Sequence, residues 1–329
     1  MGGMGRAWWN GPVRNSPDFE LAAVVDIAES PLLEAAEQLN IPMDRRFSSF
    51  EAAIKNVPAD AVLTVTPPPV HVEHARLAFA HGLHLLTEKP IAPDLISARQ
   101  MVQWARQAGK QLMVAQNYRY SPVMQRLKSL FDSSPLGAFG HGHIDFYIPA
   151  DFSGSFRQSM QFPLLVDMAI HHLDLIRFIT GRNITQVTAQ SFRPAWSGFE
   201  HDPGLNMLMQ LEGGLCFSYS GDWTARGRAT TWNGNWRLQC ENGSIHVDED
   251  RITLARCEMW GKNVTHEAIG IPPLEAEGQV ALLKGFAEAI RRNEPAETNG
   301  QDNLNSFSAV MAGVRSAVKG QKVELNSLE

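Results

Sequence analysis

Residues 84–116, HLLTEKPIAPDLISARQMVQWARQAGKQLMVAQ, carry the pattern of a strand, a helix and a second strand. The runs His84–Thr87 and Leu112–Gln116 are short, almost continuously apolar and bounded by polar residues or proline, which is typical of buried parallel strands. Between them, Asp94–Ala108 places its apolar residues on one stripe at helical spacing, and Gly109 is suited to end that helix. This unit predicts a parallel sheet covered by helices.

The same alternation extends toward the N-terminus. Leu21–Asp26 and Ala61–Val65 are further strand-like runs, and Pro31–Leu39 is a helical pattern that follows Ser30 as a cap. The residues ahead of these elements contain no strand-like run, so we expect a Rossmann-like parallel sheet without its first strand. One expectation that follows is that Met1 is a truncated or misassigned start.

After Arg119 the pattern changes. A strand at His141–Ile148 and a strongly apolar helix at Pro163–Phe178 are followed by a succession of strand-like runs. Asn233-Gly234 and Asn242-Gly243 lie between such runs and are suited to tight hairpin turns, whose central residues need positive φ. We therefore predict an α/β chain in two parts. Residues 1–118 form the Rossmann-like domain, and residues 119–329 form an α+β domain with an open, mostly antiparallel sheet.

Composition excludes several classes of protein. The apolar fraction of 44% and the charged fraction of 19% are ordinary for a globular chain, and a net charge of −6 does not favour nucleic acid as a partner. No apolar run approaches the ~18 residues of a membrane-spanning helix, so no membrane partner is expected. The three cysteines, Cys216, Cys240 and Cys257, match neither a disulfide framework nor a zinc site. We interpret them as reduced, which indicates the cytoplasm.

The first residues, Met1-Gly2-Gly3-Met4-Gly5, resemble part of a dinucleotide-binding fingerprint, G-x-G-x-x-G. Gly2 and Gly5 would be its second and third glycines, although a glycine cluster at a chain end is often simply irregular. Asp26 ends a strand at the distance where a ribose-binding acid belongs. The alternative is that Asp26 only caps the next helix. No arginine follows in residues 27–29 to receive a 2′-phosphate, so a nucleotide site here would prefer NAD to NADP.

Glu88-Lys89-Pro90 directly follows a predicted strand, at the sheet edge where ligands bind in open α/β folds. Lys89 is either a surface lysine paired with Glu88 or a group that exchanges protons beside a ligand. Two further loops follow predicted strands and should reach the same edge: Thr66-Pro67-Pro68-Pro69 with His71, and Asn117-Tyr118-Arg119-Tyr120.

Asp167, His171 and Asp174 occupy positions i, i+4 and i+7 of the apolar helix, so they share one helical face. A carboxylate four residues from a histidine can fix its tautomer, which suits a general acid or base. The alternatives are a buried core histidine and a metal site. We predict no metal, because one helical turn supplies few converging ligands. His172 is assigned no chemistry.

Taken together, these motifs resemble the glucose–fructose oxidoreductase, inositol dehydrogenase and rhizopine-catabolism (Gfo/Idh/MocA) family, over essentially the whole chain. The resemblance implies an NAD(P)-binding domain and a substrate-binding domain whose open sheet forms a homo-oligomer contact. It implies hydride transfer between NAD and a hydroxyl or carbonyl of a sugar or polyol. Lys89, His171 and Asp167 would be the catalytic residues, with His171 as the acid or base.

The resemblance also implies which residues bind ligands. The expected cofactor-binding residues are Gly2, Gly3, Met4, Gly5, Asp26, Thr66, Pro67, His71, Glu88, Lys89 and Asn117. The expected substrate-binding residues are Lys89, Tyr118, Arg119, Asp167 and His171. Many relatives carry glycines ahead of the Asp167 position, whereas this chain has Gln161-Phe162-Pro163-Leu164, so we expect a bulkier rim on the substrate pocket.

Two alternatives from other classes remain: an NAD-dependent glycoside hydrolase, and a non-catalytic protein that senses NAD or a sugar. A separate question concerns Trp223, Trp232 and Trp236, which lie near Arg226 and Arg228 around a predicted hairpin. Such a surface either stacks sugars or forms an oligomer interface, and we favour the interface.

Overall fold

The structure is a computed structural model that describes residues 3–328. It divides into two compact units. Unit 1 comprises Met1–Tyr120 with Ala276–Leu304, and unit 2 comprises Ser121–Glu275 with Asn305–Glu329. Unit 1 therefore includes Ala276–Leu304, from late in the chain. The predicted division into two continuous domains at residue 118 assigns that segment to the second domain.

The strands are β1 (Val24–Val25), β2 (Arg46–Phe47), β3 (Ala61–Thr64), β4 (His84–Thr87), β5 (Leu112–Val114), β6 (Phe139–Tyr147), β7 (Ile184–Phe192), β8 (Gly204–Leu211), β9 (Cys216–Asp222), β10 (Asn235–Cys240), β11 (Gly243–Asp248), β12 (Arg251–Glu258), β13 (Lys262–Ile269) and β14 (Val323–Glu324). The α-helices are α1 (Gly3–Trp8), α2 (Glu29–Gln38), α3 (Phe50–Asn56), α4 (Pro68–Ala80), α5 (Leu95–Ala108), α6 (Pro122–Asp132), α7 (Ala169–Thr180), α8 (Gly278–Arg292) and α9 (Gly300–Lys319). Trp9–Val13 and Leu164–Met168 are π-helical, and six short 3₁₀ turns complete the elements: Met43–Arg45, Asn117–Tyr120, Phe156–Ser159, Glu212–Gly214, Met259–Gly261 and Leu325–Leu328.

Unit 1 contains two parallel sheets. One pairs β1 with β2, and the other has the order β3-β4-β5. A Rossmann sheet has the order 3-2-1-4-5-6. In that order, β2 and β1 occupy positions 3 and 2, and β3, β4 and β5 occupy positions 4, 5 and 6. Residues 3–328 supply no strand at position 1, which lies between the two sheets in a Rossmann fold. The predicted parallel sheet without its first strand is therefore confirmed. As a result, β3 lies at an edge of its sheet, and most of its residues are only half-buried.

The helix after β4 begins and ends where its sequence predicts. The Asp94 side chain accepts a hydrogen bond from the Ser97 amide at 2.8 Å, and Gly109 adopts the left-handed conformation that closes the helix. The helix after β1 differs slightly, because α2 begins at Glu29 and its N-cap is Ala28 rather than Ser30. The predicted strand Leu21–Asp26 is also shorter, since only Val24–Val25 pairs with β2.

Unit 2 is built on a nine-stranded sheet with the order β13-β12-β11-β10-β6-β9-β8-β7-β14. Every neighbouring pair is antiparallel except β6 and β9, which are parallel. Along β8, buried residues alternate with more exposed ones, so one face of the sheet carries the core. Almost every residue of α7 is buried. The predicted open, mostly antiparallel sheet is confirmed.

The predicted tryptophan surface does not exist as one exposed patch. Trp223 and Trp236 are buried, at 1% and 2% exposure, and only Trp232 is exposed, at 47%. Burial is dictated by the strands that carry or precede these residues, which place the indoles within the core. Among residues 3–328, no helix is long and apolar enough to cross a membrane.

We expect Leu86→Ala to destabilise the protein by about 2–5 kcal/mol, because Leu86 is fully buried in β4 and its loss leaves a cavity in the core of unit 1. Urea unfolding followed by circular dichroism measures the change. Ile96→Ala is the matched control, since Ile96 is 80% exposed on α5, and it should change the free energy of unfolding by less than about 0.5 kcal/mol. Equal effects of the two substitutions would contradict the assignment of β4 to the core.

Candidate active site

The carboxyl ends of β3, β4 and β5 lie side by side in unit 1. Thr64 pairs with Thr87, and Thr87 pairs with Val114, so the three parallel strands end in register. Polar residues follow each end: Thr66 after β3, Glu88 and Lys89 after β4, and Asn117 after β5. This edge is where open α/β sheets bind their ligands.

Glu88 connects the end of β4 to helix α1. Its carboxylate accepts a hydrogen bond from the Trp8 indole at 2.6 Å and one from the Lys89 amide at 3.2 Å. Trp8 is 1% exposed, so this contact is buried. Lys89 itself is half-buried. The sequence reasoning did not find Trp8, because no local pattern relates residues 80 positions apart.

His71 joins two of the loops at this edge. Its Nε2 lies 2.6 Å from the Thr66 carbonyl oxygen, and its Nδ1 lies 3.2 Å from the Pro90 carbonyl oxygen. Burial lowers the pKa of His71 because it disfavours the charged ring. His71 therefore positions the backbone around Thr66 and Lys89, and the expectation that it also contacts a cofactor stays a prediction.

The glycine-rich start lies at the first helix. Gly2 falls outside the described residues, Gly3 begins α1, and Gly5 is buried within it. Met4 is 43% exposed, and the Gln279 amide lies 3.4 Å from its sulfur atom. These residues therefore open the helix that packs through Trp8 onto the end of β4.

Asp26 directly follows β1 and is half-buried. Its Oδ1 accepts a hydrogen bond from the Ala28 amide at 2.9 Å, which holds the carboxylate in a tight turn. Residues 27–29 are exposed and include Glu29 but no cation. A carboxylate in this place suits the hydroxyls of a ribose and repels a 2′-phosphate. The residues present therefore fit NAD.

Asn117, Tyr118 and Arg119 form a 3₁₀ turn after β5. The Arg119 side chain is almost fully buried and donates to the Asp302 carboxylate at 2.7 Å. Its second guanidinium nitrogen lies 3.4 Å from the Glu297 carbonyl oxygen. Arg119 thus ties the end of β5 to the segment that returns to unit 1, and its expected contact with substrate stays a prediction.

In unit 2, Asp167 is paired with Arg157. The Arg157 Nε donates to Asp167 Oδ2 at 2.5 Å, and a second guanidinium nitrogen lies 3.5 Å from Oδ1. The guanidinium also lies over the rings of Phe152 and Phe156, at 5.2 and 4.7 Å. The ion pair restricts the orientation of the carboxylate. Arg157 comes from a 3₁₀ turn in a long polar loop, and no spacing in the sequence pointed to it.

The helix with the three predicted polar residues is not a regular α-helix. Asp167 lies in the π-helical segment, whereas His171 and Asp174 lie in α7. The wider π turn changes the angular spacing on which the i, i+4, i+7 prediction depended. Asp174 is buried and accepts from Ser306 at 2.6 Å, and Ser306 accepts from Arg177 at 2.7 Å. Asp174 therefore belongs to a structural network, whereas Asp167 binds Arg157.

His171 is 5% exposed, and its neighbour His172 is fully buried. The Nε2 of His172 lies 3.1 Å from the Trp232 carbonyl oxygen, and its Nδ1 lies 3.1 Å from the Tyr219 hydroxyl. Because a carbonyl only accepts, Nε2 carries the proton and Nδ1 accepts from Tyr219. Burial lowers the pKa of His172 to about 4, so the ring is neutral near pH 7. His172 anchors the loop after β9.

Among the described residues, no group of three or more histidine, cysteine or acidic side chains is placed to hold a metal ion. The predicted catalytic residues lie at two places: Lys89 at the edge of the unit 1 sheet, and, in unit 2, His171 and the arginine-bound carboxylate of Asp167.

A Rossmann unit combined with an open, mostly antiparallel sheet is a fold suited to binding a dinucleotide, and the comparisons with known proteins identify its class. The model of an oxidoreductase family with an NAD-binding Rossmann fold matches residues 1–116, and the model of that family's C-terminal domain matches residues 124–246. The chain belongs to the Gfo/Idh/MocA oxidoreductase family. The predicted family and the predicted enzyme class, an NAD-dependent oxidoreductase, are thereby confirmed.

Known proteins are similar over nearly the whole chain. Inositol 2-dehydrogenase from Streptomyces avermitilis is 32% identical and covers 92% of this chain and 86% of its own. D-apiose dehydrogenase from Paraburkholderia graminis is 27% identical and covers 96% and 86%. An oxidoreductase from Agrobacterium radiobacter, solved with NAD⁺, L-tartaric acid and magnesium, superimposes with a TM-score of 0.83 at 23% identity, covering 94% and 92%. This last match is a likeness of fold.

We expect His172 to make stability depend on pH. Its pKa is about 4 in the folded protein and about 6.5 unfolded, so the unfolded chain binds the proton more tightly. The stabilisation is therefore complete above pH 6.5 and is lost as the pH falls toward 4, by up to about 3 kcal/mol. Urea unfolding between pH 7 and pH 4 measures this loss.

The variant His172→Gln keeps an amide donor for the Trp232 carbonyl but does not titrate. Its stability should decline less with falling pH than that of the unmutated protein. His81→Gln, at an exposed histidine, is the control and should leave the decline unchanged. If the curves of His172→Gln and the unmutated protein ran parallel, the buried neutral state of His172 would be disproved.

Proposed function

We propose that this NAD-dependent oxidoreductase transfers a hydride between NAD and a secondary hydroxyl carbon, or the matching carbonyl carbon, of a cyclic polyol or sugar. The observation that carries the proposal in unit 1 is Lys89 at the in-register edge of β3, β4 and β5. In unit 2 it is the Arg157-bound Asp167, four residues before His171 in the chain. The similarity to inositol and apiose dehydrogenases supports this substrate class. No match reported above is a glycoside hydrolase or a regulator.

NAD would be held by unit 1. Asp26 suits the ribose hydroxyls, and Gly3, Met4 and Gly5 at the start of α1 suit the pyrophosphate, since helix N-termini attract anions. Gly2 lies outside the described residues, and its contact with the cofactor stays a prediction from the sequence. The loops after β3, β4 and β5 would line the remainder of the cofactor through Thr66, Pro67, His71, Glu88, Lys89 and Asn117. Bound NAD supplies the carbon that accepts or returns the hydride.

The proton requires groups from the protein. The Lys89 ammonium can donate a hydrogen bond to the reacting oxygen and stabilise the negative charge that develops there. A ring nitrogen of His171 can accept the hydroxyl proton during oxidation and return it during reduction. Asp167, held by Arg157, can accept a hydrogen bond from a neighbouring hydroxyl and orient the ring. Tyr118 and Arg119 are proposed as further substrate contacts.

We also propose that the protein works in the cytoplasm as a homo-oligomer. Its three cysteines are all free thiols, which suits a reducing compartment. On the open face of the large sheet, Leu208 is 65% exposed. Beside such apolar surface, His143 bridges Ser218 and Asp145 through hydrogen bonds of 2.7 and 2.8 Å. A half-exposed face that mixes an apolar side chain with ordered polar groups is suited to pairing with a second copy.

A panel of cyclic polyols and sugars, including myo-inositol, D-glucose and D-apiose, assayed with NAD⁺ and with NADP⁺ tests the function. We expect NADH to form with at least one member, and NAD⁺ to be used more efficiently than NADP⁺ because of Asp26 and Glu29. Absence of turnover with every member, in both the oxidative and the reductive direction, would contradict the proposed substrate class.

For the active member, Lys89→Ala should lower kcat by a factor of about 10²–10⁴, since it removes a group that acts on the reacting oxygen. The Kd for NAD should remain within about threefold, because Lys89 would act mainly on substrate. Lys55→Ala removes an exposed lysine of the same unit and should leave kcat unchanged. Full activity of Lys89→Ala would refute its role.

A further inference from the structure

A pocket of about 310 Å³ lies in unit 2 where the loops after β6, β7 and β9 meet. Strands β6 and β9 are the parallel pair of the large sheet, and β7 runs in the same direction as β9 because each is antiparallel to β8, so the three loops leave from the same edge. The Ala150 amide donates to the Trp223 carbonyl oxygen at 3.0 Å, which joins the loops after β6 and β9 directly beyond the strands. The volume is near the lower limit of ligand-binding pockets, about 300–1,000 Å³, and therefore suits a single small ring.

The pocket has an aromatic wall. Trp223 is stacked on Phe199 with a centroid distance of 6.1 Å, and the edge of Phe152 meets Trp223 at 4.9 Å. Each ring is therefore held by the others, and the wall is rigid. Rigid aromatic surface binds a flat apolar ligand face at a low cost in conformational entropy.

The rim is exposed and polar. Trp196 is 54% exposed, and its indole nitrogen donates to the Thr224 carbonyl oxygen at 3.0 Å, which fixes the ring. The Arg226 guanidinium lies 5.4 Å from the centre of the Trp196 ring. Asp151 and Ser153, in the loop after β6, also line the pocket. A cation, a carboxylate and a hydroxyl around an ordered indole can bond to several hydroxyl groups of a ligand.

One buried polar atom in the wall has no partner. Trp223 lines the pocket and is 1% exposed, and within residues 3–328 its Nε1 finds no hydrogen-bond acceptor. A buried indole N–H without an acceptor is costly, so a bound ligand that offers an oxygen there would gain affinity. Hydroxyl groups meet this need, because their oxygen accepts as well as donates.

The pocket adjoins the proposed catalytic carboxylate. Phe152 belongs to the aromatic wall, and the Arg157 guanidinium lies over its ring. The same guanidinium holds Asp167. The side chain of Arg157 therefore touches both the wall of the pocket and the carboxylate.

We propose that this pocket binds a second pyranose ring, so that the substrate is a disaccharide or another glycoside whose neighbouring ring is oxidised or reduced. The proposal rests on the proposed function and narrows its substrate class. The apolar face of a pyranose stacks on the exposed ring of Trp196 and on the half-buried ring of Phe152, and its hydroxyls bond to the polar rim and to Trp223. The glycosidic bond stays intact, since the pocket holds a ring and supplies no step of the reaction.

Calorimetric titration of the NADH complex tests the proposal without turnover, because alcohol oxidation needs NAD⁺. The probes are maltose, cellobiose, gentiobiose and trehalose, with D-glucose as the single-ring reference. We expect at least one disaccharide to bind at least tenfold more tightly than glucose. Trp196→Ala should raise the Kd of that disaccharide about tenfold, which corresponds to about 1.4 kcal/mol. The Kd of glucose should change less than twofold. Trp196→Phe, which keeps an aromatic face, should lie between Trp196→Ala and the unmutated protein.

Trp260→Ala is the control, since Trp260 is 88% exposed and does not line the pocket, and it should bind every probe as the unmutated protein does. The proposal is overturned if no disaccharide binds more tightly than glucose, or if Trp196→Ala binds the disaccharide unchanged. The calorimetry measures binding of the second ring alone, so either of these results leaves NADH formation from single-ring substrates untouched. The proposed function is tested separately by the substrate panel, and it fails only if no member of that panel is turned over.

Discussion

The parallel register of β3, β4 and β5 is the constraint on which the site in unit 1 depends. Three buried strands that end in register must release their loops at one edge, whatever side chains the loops carry. Two buried contacts then hold that edge in shape. The two ring nitrogens of His71 lie within 3.2 Å of backbone carbonyl oxygens of two loops, and Glu88 accepts the indole hydrogen of Trp8. The backbone at Lys89 is therefore held on both sides, through Glu88 before it and Pro90 after it.

In the unit 2 sheet, β6 and β9 are parallel neighbours, whereas all the other neighbouring strands are antiparallel. Antiparallel neighbours send their loops to opposite edges, whereas the parallel pair β6 and β9 sends two long loops to the same edge. Those loops carry Arg157, Phe152 and Trp223, and the loop after β7 adds Phe199 to the aromatic wall of the pocket. Arg157 connects the wall to Asp167, since it pairs with Asp167 and lies over Phe152. His172 fixes the loop after β9, because its Nε2 donates a hydrogen bond to the Trp232 carbonyl oxygen.

Much of the fold could be predicted from the sequence, because its signals are local. Period and length distinguish the buried strands from α5, and Asp94 and Gly109 mark the ends of that helix. The position of Lys89 and Asn117 at the sheet edge was predictable for the same reason, since each comes within three residues of a strand end. Their chemical roles stay predictions. One prediction was wrong because it extended a local pattern too far: Trp223 and Trp236, expected on one surface, are buried. The π-helical segment that contains Asp167 was not evident from the spacing of the polar residues.

The sequence by itself therefore determined the order of strands and helices, the family, and the residue types at the ends of the strands. Only the tertiary structure decided the partners of those residues. Trp8 and Glu88 are 80 residues apart, and Arg119 and Asp302 are 183 apart. The physical reason is that a local pattern specifies which face of an element is buried but not which distant side chain packs against it. A hydrogen bond or ion pair forms only when the folded chain brings both groups within about 3 Å.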